Sequence, residues 1–123
     1  MKVQVKGVER DNPTIWSDGI LNLSDGQFNC FAFTYPCTAQ VNDWLKEPLS
    51  AFDCTHIVRV TPGKVGFLEN EKPFGYFVIG IVDSVEESII RVGHFSIEID
   101  DLPGDIIVGD WVSFCCGRLD FMG

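Results

Sequence analysis

The stretch from Phe74 to Cys116 constrains the fold more than any other part of the chain. It reads FGYFVIGIVDSVEESIIRVGHFSIEIDDLPGDIIVGDWVSFCC. Apolar runs of strand length and turn signals follow one another with little slack. Phe74–Asp83 is apolar on both faces, the pattern of a central strand, and Gly80 within it marks a bulge, a bend or a close backbone approach. Ile89–Val92 and Phe95–Asp100 flank Gly93-His94, the pattern of a tight hairpin. On the second arm Phe95, Ile97 and Ile99 alternate with Ser96, Glu98 and Asp100, which fits one buried and one solvated face. Ile106–Val108 reads as a short strand, Gly109-Asp110 as a turn, and Trp111–Cys116 as the last long strand. From this stretch the inward set is taken as Phe77, Ile79, Ile81, Phe95, Ile97, Ile99, Val112 and Phe114.

The rest of the chain continues the pattern. Met1–Val8 alternates Val3 and Val5 with Lys2, Gln4 and Lys6, a half-buried strand with lysines along an edge. Asp25-Gly26 is a hairpin signal, because both residues tolerate positive φ. It joins Ile20–Leu23 to Phe28–Tyr35, whose apolar residues on both faces predict burial on both sides. Cys37–Leu49 is the one segment with helical spacing: Thr38 as cap, Val41, Trp44 and Leu45 at i, i+3 and i+4, Pro48 as stop. Cys54–Thr61 and Lys64–Leu68 read as strands. Leu119 and Phe121 in the tail pack back on the body. The expectation is an all-β fold, an antiparallel small barrel or sandwich of about eight short strands with one short helix. The chain of 123 residues is one domain, residues 1–123, long enough to bury a core without metal or disulfide.

Charge is the second constraint. The formal net charge is −9, and it is uneven. Residues 1–72 carry nine acids and seven bases, whereas residues 73–123 carry nine acids and two bases. In Phe74–Cys116 alone, Asp83, Glu86, Glu87, Glu98, Asp100, Asp101, Asp105 and Asp110 face a single cation, Arg91. Such a surface repels phosphate backbones and attracts basic proteins. The carboxylates occupy outward positions and connecting turns, where folding does not require them.

Motifs for chemistry are sparse. The five cysteines are irregularly spaced and form no CxxC pair, so no zinc site is indicated. Cys54 and His56 fall on one strand face, but a nucleophile pair also needs hydrogen-bond reach and an orienting partner. Asp100, Asp101 and Asp105 lack the ligand alternation of a calcium loop. The chain is read as non-enzymatic, with no cofactor and no metal. Phe28, Phe31, Phe33 and Tyr35 have the spacing of a stacking platform, but without a basic stripe they are taken as core. No apolar run reaches the ~20 residues of a membrane span, and the N-terminus has no signal-peptide pattern; a cytoplasmic location is expected.

Two resemblances follow. Across Phe74–Cys116, short strands with a Gly-Asp turn before the final one resemble small barrels of the oligonucleotide-binding type. That implies a module in a larger assembly that contacts nucleic acid. In size, acidity and lack of catalytic motif, the whole chain resembles bacterial immunity proteins, including those of contact-dependent inhibition systems. That resemblance implies neutralisation of a basic toxin, such as a nuclease domain, by covering its active or substrate-binding site. It transfers no residue. The charge pattern itself nominates Glu86, Glu87, Glu98, Asp100, Asp101 and Asp105 as a partner-binding rim, with Trp111 as aromatic anchor and Trp16 and Trp44 as alternatives.

Overall fold

A computed structural model describes residues 2–10, 18–70 and 74–121. Eleven strands form it: β1 (Gln4–Arg10), β2 (Gly19–Ser24), β3 (Asn29–Thr34), β4 (Leu49–Phe52), β5 (Thr55–Arg59), β6 (Gly66–Glu69), β7 (Tyr76–Ser84), β8 (Ile89–Val92), β9 (Phe95–Glu98), β10 (Trp111–Cys116) and β11 (Arg118–Phe121). They belong to one mixed sheet in the order β1-β2-β3-β11-β4-β9-β8-β7-β10-β5, with β6 also paired to β7. The sheet is not closed, because β1 and β5 end the path without meeting. Its inner face encloses a single apolar cluster drawn from β1, β2, β3, β4, β7, β8, β9, β10 and β11.

All-β character is therefore as expected, but the purely antiparallel barrel or sandwich is not. Two pairs are parallel, β3 with β11 and β4 with β9. The tail causes the first of them. Arg-Leu-Asp-Phe alternates at strand period, so Leu119 and Phe121 turn inward and are buried. The tail does more than pack onto the body: it inserts as β11 between β3 and β4.

No helix forms over Cys37–Leu49. Asn42 takes a left-handed conformation (φ 78°), and the Gln40 amide donates to the Asp43 carboxylate, which makes a turn where the helix was expected. The backbone groups that a helix would pair internally go to β1 instead. Val5 N donates to Asp43 O, Asn42 N to Val5 O and Leu45 N to Val3 O, at 2.8, 2.8 and 2.9 Å. Pairing an open sheet edge gave these groups better partners than a helix of about ten residues, which is marginal by itself. The helical spacing was real only in that Leu45 is buried; Val41 and Trp44 are exposed.

Three further expectations change. Ile106–Val108 is not a strand: only Ile106 is buried, and Ile107 and Val108 stand exposed in consecutive turns. β3 is buried on one face, through Cys30, Ala32 and Thr34, while Phe31 is exposed and Phe33 half-buried. β7 has the opposite phase to that expected. Tyr76, Val78, Gly80 and Val82 face the core, and Phe77, Ile79 and Ile81 are half-buried on the outer side. A strand apolar on both faces carries no period-2 signal to fix its phase. Phe95, Ile97, Ile99, Val112 and Phe114 are buried as expected.

Two hairpin turns are tied together by Asp25. Its Oδ1 accepts from Gln27 N and Phe28 N at 2.8 and 2.7 Å within the β2–β3 turn. Its Oδ2 accepts from His94 N at 2.9 Å in the β8–β9 turn. Gly93 there has φ 57°, and a side chain on it would strike Asp25 and Phe28. Partial burial raises the Asp25 pKa, but the backbone donors of His94, Phe28 and Gln27, and the nearby His94 ring, outweigh it and hold the carboxyl below its ordinary value. A depressed folded-state pKa means a stability contribution that is complete above the unfolded-state value and disappears as pH falls through the lowered one. Asp25→Asn keeps one acceptor and puts an N–H against His94 N–H. The variant is expected to lose about 1–2 kcal/mol at neutral pH, with the gap to wild type closing in acid below pH ~4. Urea unfolding at a series of pH values checks this.

Candidate functional site: a carboxylate pole

The strand directions gather the nominated carboxylates at one end of the sheet. β7 ends, β8 begins and β9 ends at this pole, so Glu86 and Glu87 in the β7–β8 connection lie beside Glu98, Asp100 and Asp101. Ile99 N donates to Ser88 O at 3.0 Å, which keeps the 99–101 segment against that connection. The 101–110 loop returns to the same end. Gly109 N donates to Val82 O and Val82 N to Asp110 O, both at 2.9 Å. The β5 end joins it through Arg59, whose Nε lies 3.1 Å from Asp110 Oδ2 and whose guanidinium also reaches Asp105, donating to its carbonyl and standing 3.7 Å from its carboxylate.

All six nominated carboxylates are exposed. Five of them, Glu86, Glu87, Glu98, Asp100 and Asp101, have no cation partner among the described residues, while Asp105 is compensated by Arg59. Asp83 is paired with Arg91 at 3.9 Å. Carboxylates crowded at one end without a described cation partner give a local negative potential that is available to an incoming cation.

The most exposed apolar side chains at this pole do not include Trp111. Trp111 is half-buried on the outer side of β10, beside Ile81 of β7. Trp44 is exposed but lies at the opposite end, in a groove of about 590 Å³ with Lys2, Lys6, Asp25 and His94. Trp16 lies outside the described residues. What stands among the carboxylates is aliphatic: Ile107, Val108 and Val85, at 65, 61 and 41% exposure. The loop that presents Ile107 and Val108 is held firmly. Ile106 is buried beneath it, Ile106 N donates to Pro103 O, Asp110 N to Ile107 O, and Ile107 N to the Asp110 carboxylate. A rigid aliphatic knuckle within a carboxylate rim has the anatomy of a protein-binding surface, an apolar centre inside a polar border. The signal was present in the sequence, since Asp-Ile-Ile-Val-Gly-Asp sets three aliphatics between turn residues; strand propensity masked it.

The Cys54–His56 pair is not assembled. His56 has φ 58° and bulges the strand, so the two side chains do not share a regular face. The His56 ring contacts Thr55 Oγ1, while Cys54 Sγ donates to Ala51 O. Burial pushes the Cys54 thiol up to about 12 and that of Cys116 to about 11. Burial raises Cys30 as well. Thiols so raised carry almost no thiolate at neutral pH. Among the described residues, no group of three His, Cys, Asp or Glu is arranged to hold a metal ion. No helix of the described residues is long and apolar enough to cross a membrane.

The second nominated cluster, the aromatics of β3, is partly outward. Phe31, Tyr35 and Phe52 are exposed, Phe33 and Phe74 are half-buried and stack edge-on at 5.1 Å, and Phe28 packs against the core. The Arg118 guanidinium lies over the Phe33 and Phe52 rings, 5.5 and 4.8 Å from their centroids. Its Nε is 2.8 Å from Asp120 Oδ1, although that buried oxygen has no well-aligned hydrogen bond. Asp18 and Asp120 line the adjoining groove. Comparison of the chain with protein-family models, curated proteins and solved structures found no match.

Proposed function

We propose that this protein is an acidic inhibitory binding protein of the immunity type, which neutralises a basic toxin domain in the cytoplasm by covering its active or substrate-binding site. The observation that carries this reading is the pole itself: five carboxylates with no cation partner among the described residues, around the rigid Ile107–Val108 knuckle. A nuclease domain fits as partner because a site built to hold phosphates is basic and accepts carboxylates in their place. Long-range attraction speeds the encounter, and the desolvated aliphatic contact holds the complex.

A second reading, contact with single-stranded nucleic acid, draws on the exposed Phe31, Tyr35 and Phe52 near Arg118. It has less support. Arg118, the one cation seen there among the described residues, is committed to two rings and to Asp120, and a chain of net charge −9 repels a phosphate backbone.

The test is binding of cationic toxin domains, ribonuclease-type catalytic domains first, by surface-immobilised kinetics. Raising salt from about 50 to about 500 mM is expected to slow association by at least tenfold. The triple variant Glu98→Lys, Asp100→Lys, Asp101→Lys is expected to do the same at low salt, whereas Ile107→Ser acts chiefly on dissociation. Association unchanged by the triple charge reversal would refute the pole as the binding surface.

A further inference from the structure

We propose that β5 is a docking edge, at which an extended segment of the basic partner adds to the sheet as a further strand. This inference rests on the basic-partner reading above.

The two ends of the sheet are treated differently by the fold. The outer edge of β1 is covered at its start by the 42–45 segment, which bonds to Val3 and Val5, and farther along it carries the cations Lys6 and Arg10, which disfavour a basic partner. At the other end, β5 pairs with β10 and with no other strand of the described residues. Among the described residues, no backbone hydrogen bond reaches Thr55–Arg59 from any segment other than β10. Thr55, His56, Val58 and Arg59 are exposed and Ile57 is half-buried.

The direction of the open groups follows from the register. Val60 N donates to Trp111 O, and Ser113 lies opposite Val58. In an antiparallel pair the inward-bonded residues alternate, so Val58 and Val60 point their peptide groups at β10, while Ile57 and Arg59 point theirs outward. The register shift falls between Thr55 and Val58, across His56 and Ile57; Val58–Val60 run in regular register, and Ile57 precedes the inward-bonded Val58, so its carbonyl turns outward. Two residues with both N–H and C=O open offer four hydrogen bonds to an added strand, the usual template for strand addition.

Charge selects the occupant. Asp105 and Asp110 stand at the far end of the strand and share Arg59 as their cation among the described residues. The five carboxylates of the pole that have no cation partner among the described residues lie beyond them. An extended segment with apolar residues on one face, to cover the half-exposed Val58, and cations on the other, to reach these acids, matches both features.

The experiment is amide hydrogen exchange on the intact, isotopically labelled protein, read by NMR, with the heptapeptide Lys-Val-Lys-Val-Lys-Val-Lys as probe at saturation. Exchange at Ile57 and Arg59 is expected to slow by at least tenfold, with little change at Val58 and Val60. Ile57→Pro removes one outward donor and is expected to abolish the slowing at Arg59. Peptide-induced shifts confined to Glu86–Asp101, with exchange at Ile57 and Arg59 unchanged, would overturn the docking edge and leave the acidic-surface reading standing. Absence of any binding overturns the docking edge too, whereas the toxin-domain kinetics above test the pole separately. Persistent slowing at Arg59 in a folded Ile57→Pro variant counts against strand addition as well.

Discussion

Gly80→Ala is expected to destabilise the protein by about 2–3 kcal/mol, as an overpacked core does, and to lower the melting temperature by roughly 3–5 °C for each kcal/mol lost in a domain of this size. Gly80 sits in mid-β7 with β8 on one side and Val112 of β10 on the other. A Cβ placed there would come within 2.5 Å of Ile90 Cγ2 and 2.9 Å of the Arg91 carbonyl oxygen. A side chain can turn away, but the carbonyl belongs to the β8 backbone and moves only if the β7–β8 pairing moves. The expected result is therefore a loss of stability with slackening of that ladder. Gly104→Ala is the matched control: its Cβ would meet nothing within 4 Å, so a change within about 0.5 kcal/mol is expected. Thermal and denaturant unfolding of the two variants side by side gives the comparison.

Phe95→Ala is expected to cost more, about 3–5 kcal/mol, the range for deleting a fully buried aromatic ring. Phe95 has no exposed surface and stacks edge-on against Phe67 at 5.2 Å, which in turn meets Tyr76 at 5.7 Å. The ring links β9 to β6 and, through Phe67, to β7, and the vacated volume has few ways to collapse. The same measurement separates the two faces of β7. Val78→Ala, at a fully buried position, should cost clearly more than Ile79→Ala on the half-buried outer side. Equal losses would mean that the outer face is covered as firmly as the inner one.

These substitutions show where sequence reasoning was sufficient. The Gly93-His94 hairpin, the Asp25-Gly26 hairpin and the inward set Phe95, Ile97 and Ile99 follow from local rules, turn chemistry and period-2 alternation. The nominated carboxylates were legible as exposed residues for the same reason, since they occupy alternate positions and turns. Gly80 was legible as a place of close backbone approach. β7 shows the limit: with apolar residues on both faces, nothing local says whether Tyr76 and Val78 or Phe77 and Ile79 face the core. The 37–49 segment shows another. Its helical spacing lost to an open β1 edge that only the assembled sheet supplies.

The sequence by itself determined an all-β chain with an acid-rich C-terminal half, because alternation, turn residues and charge are properties of neighbours along the chain. Only the tertiary structure decided that the sheet is mixed and open, and that the tail becomes β11 between two strands distant in sequence. It alone decided which carboxylates share one pole, that Asp105 is compensated by Arg59 while five others have no cation partner among the described residues, and that Ile107 and Val108 rather than Trp111 stand among them. Those outcomes depend on strand pairings between residues far apart in the chain, and such pairings are set by the competition of all edges for partners rather than by any local pattern.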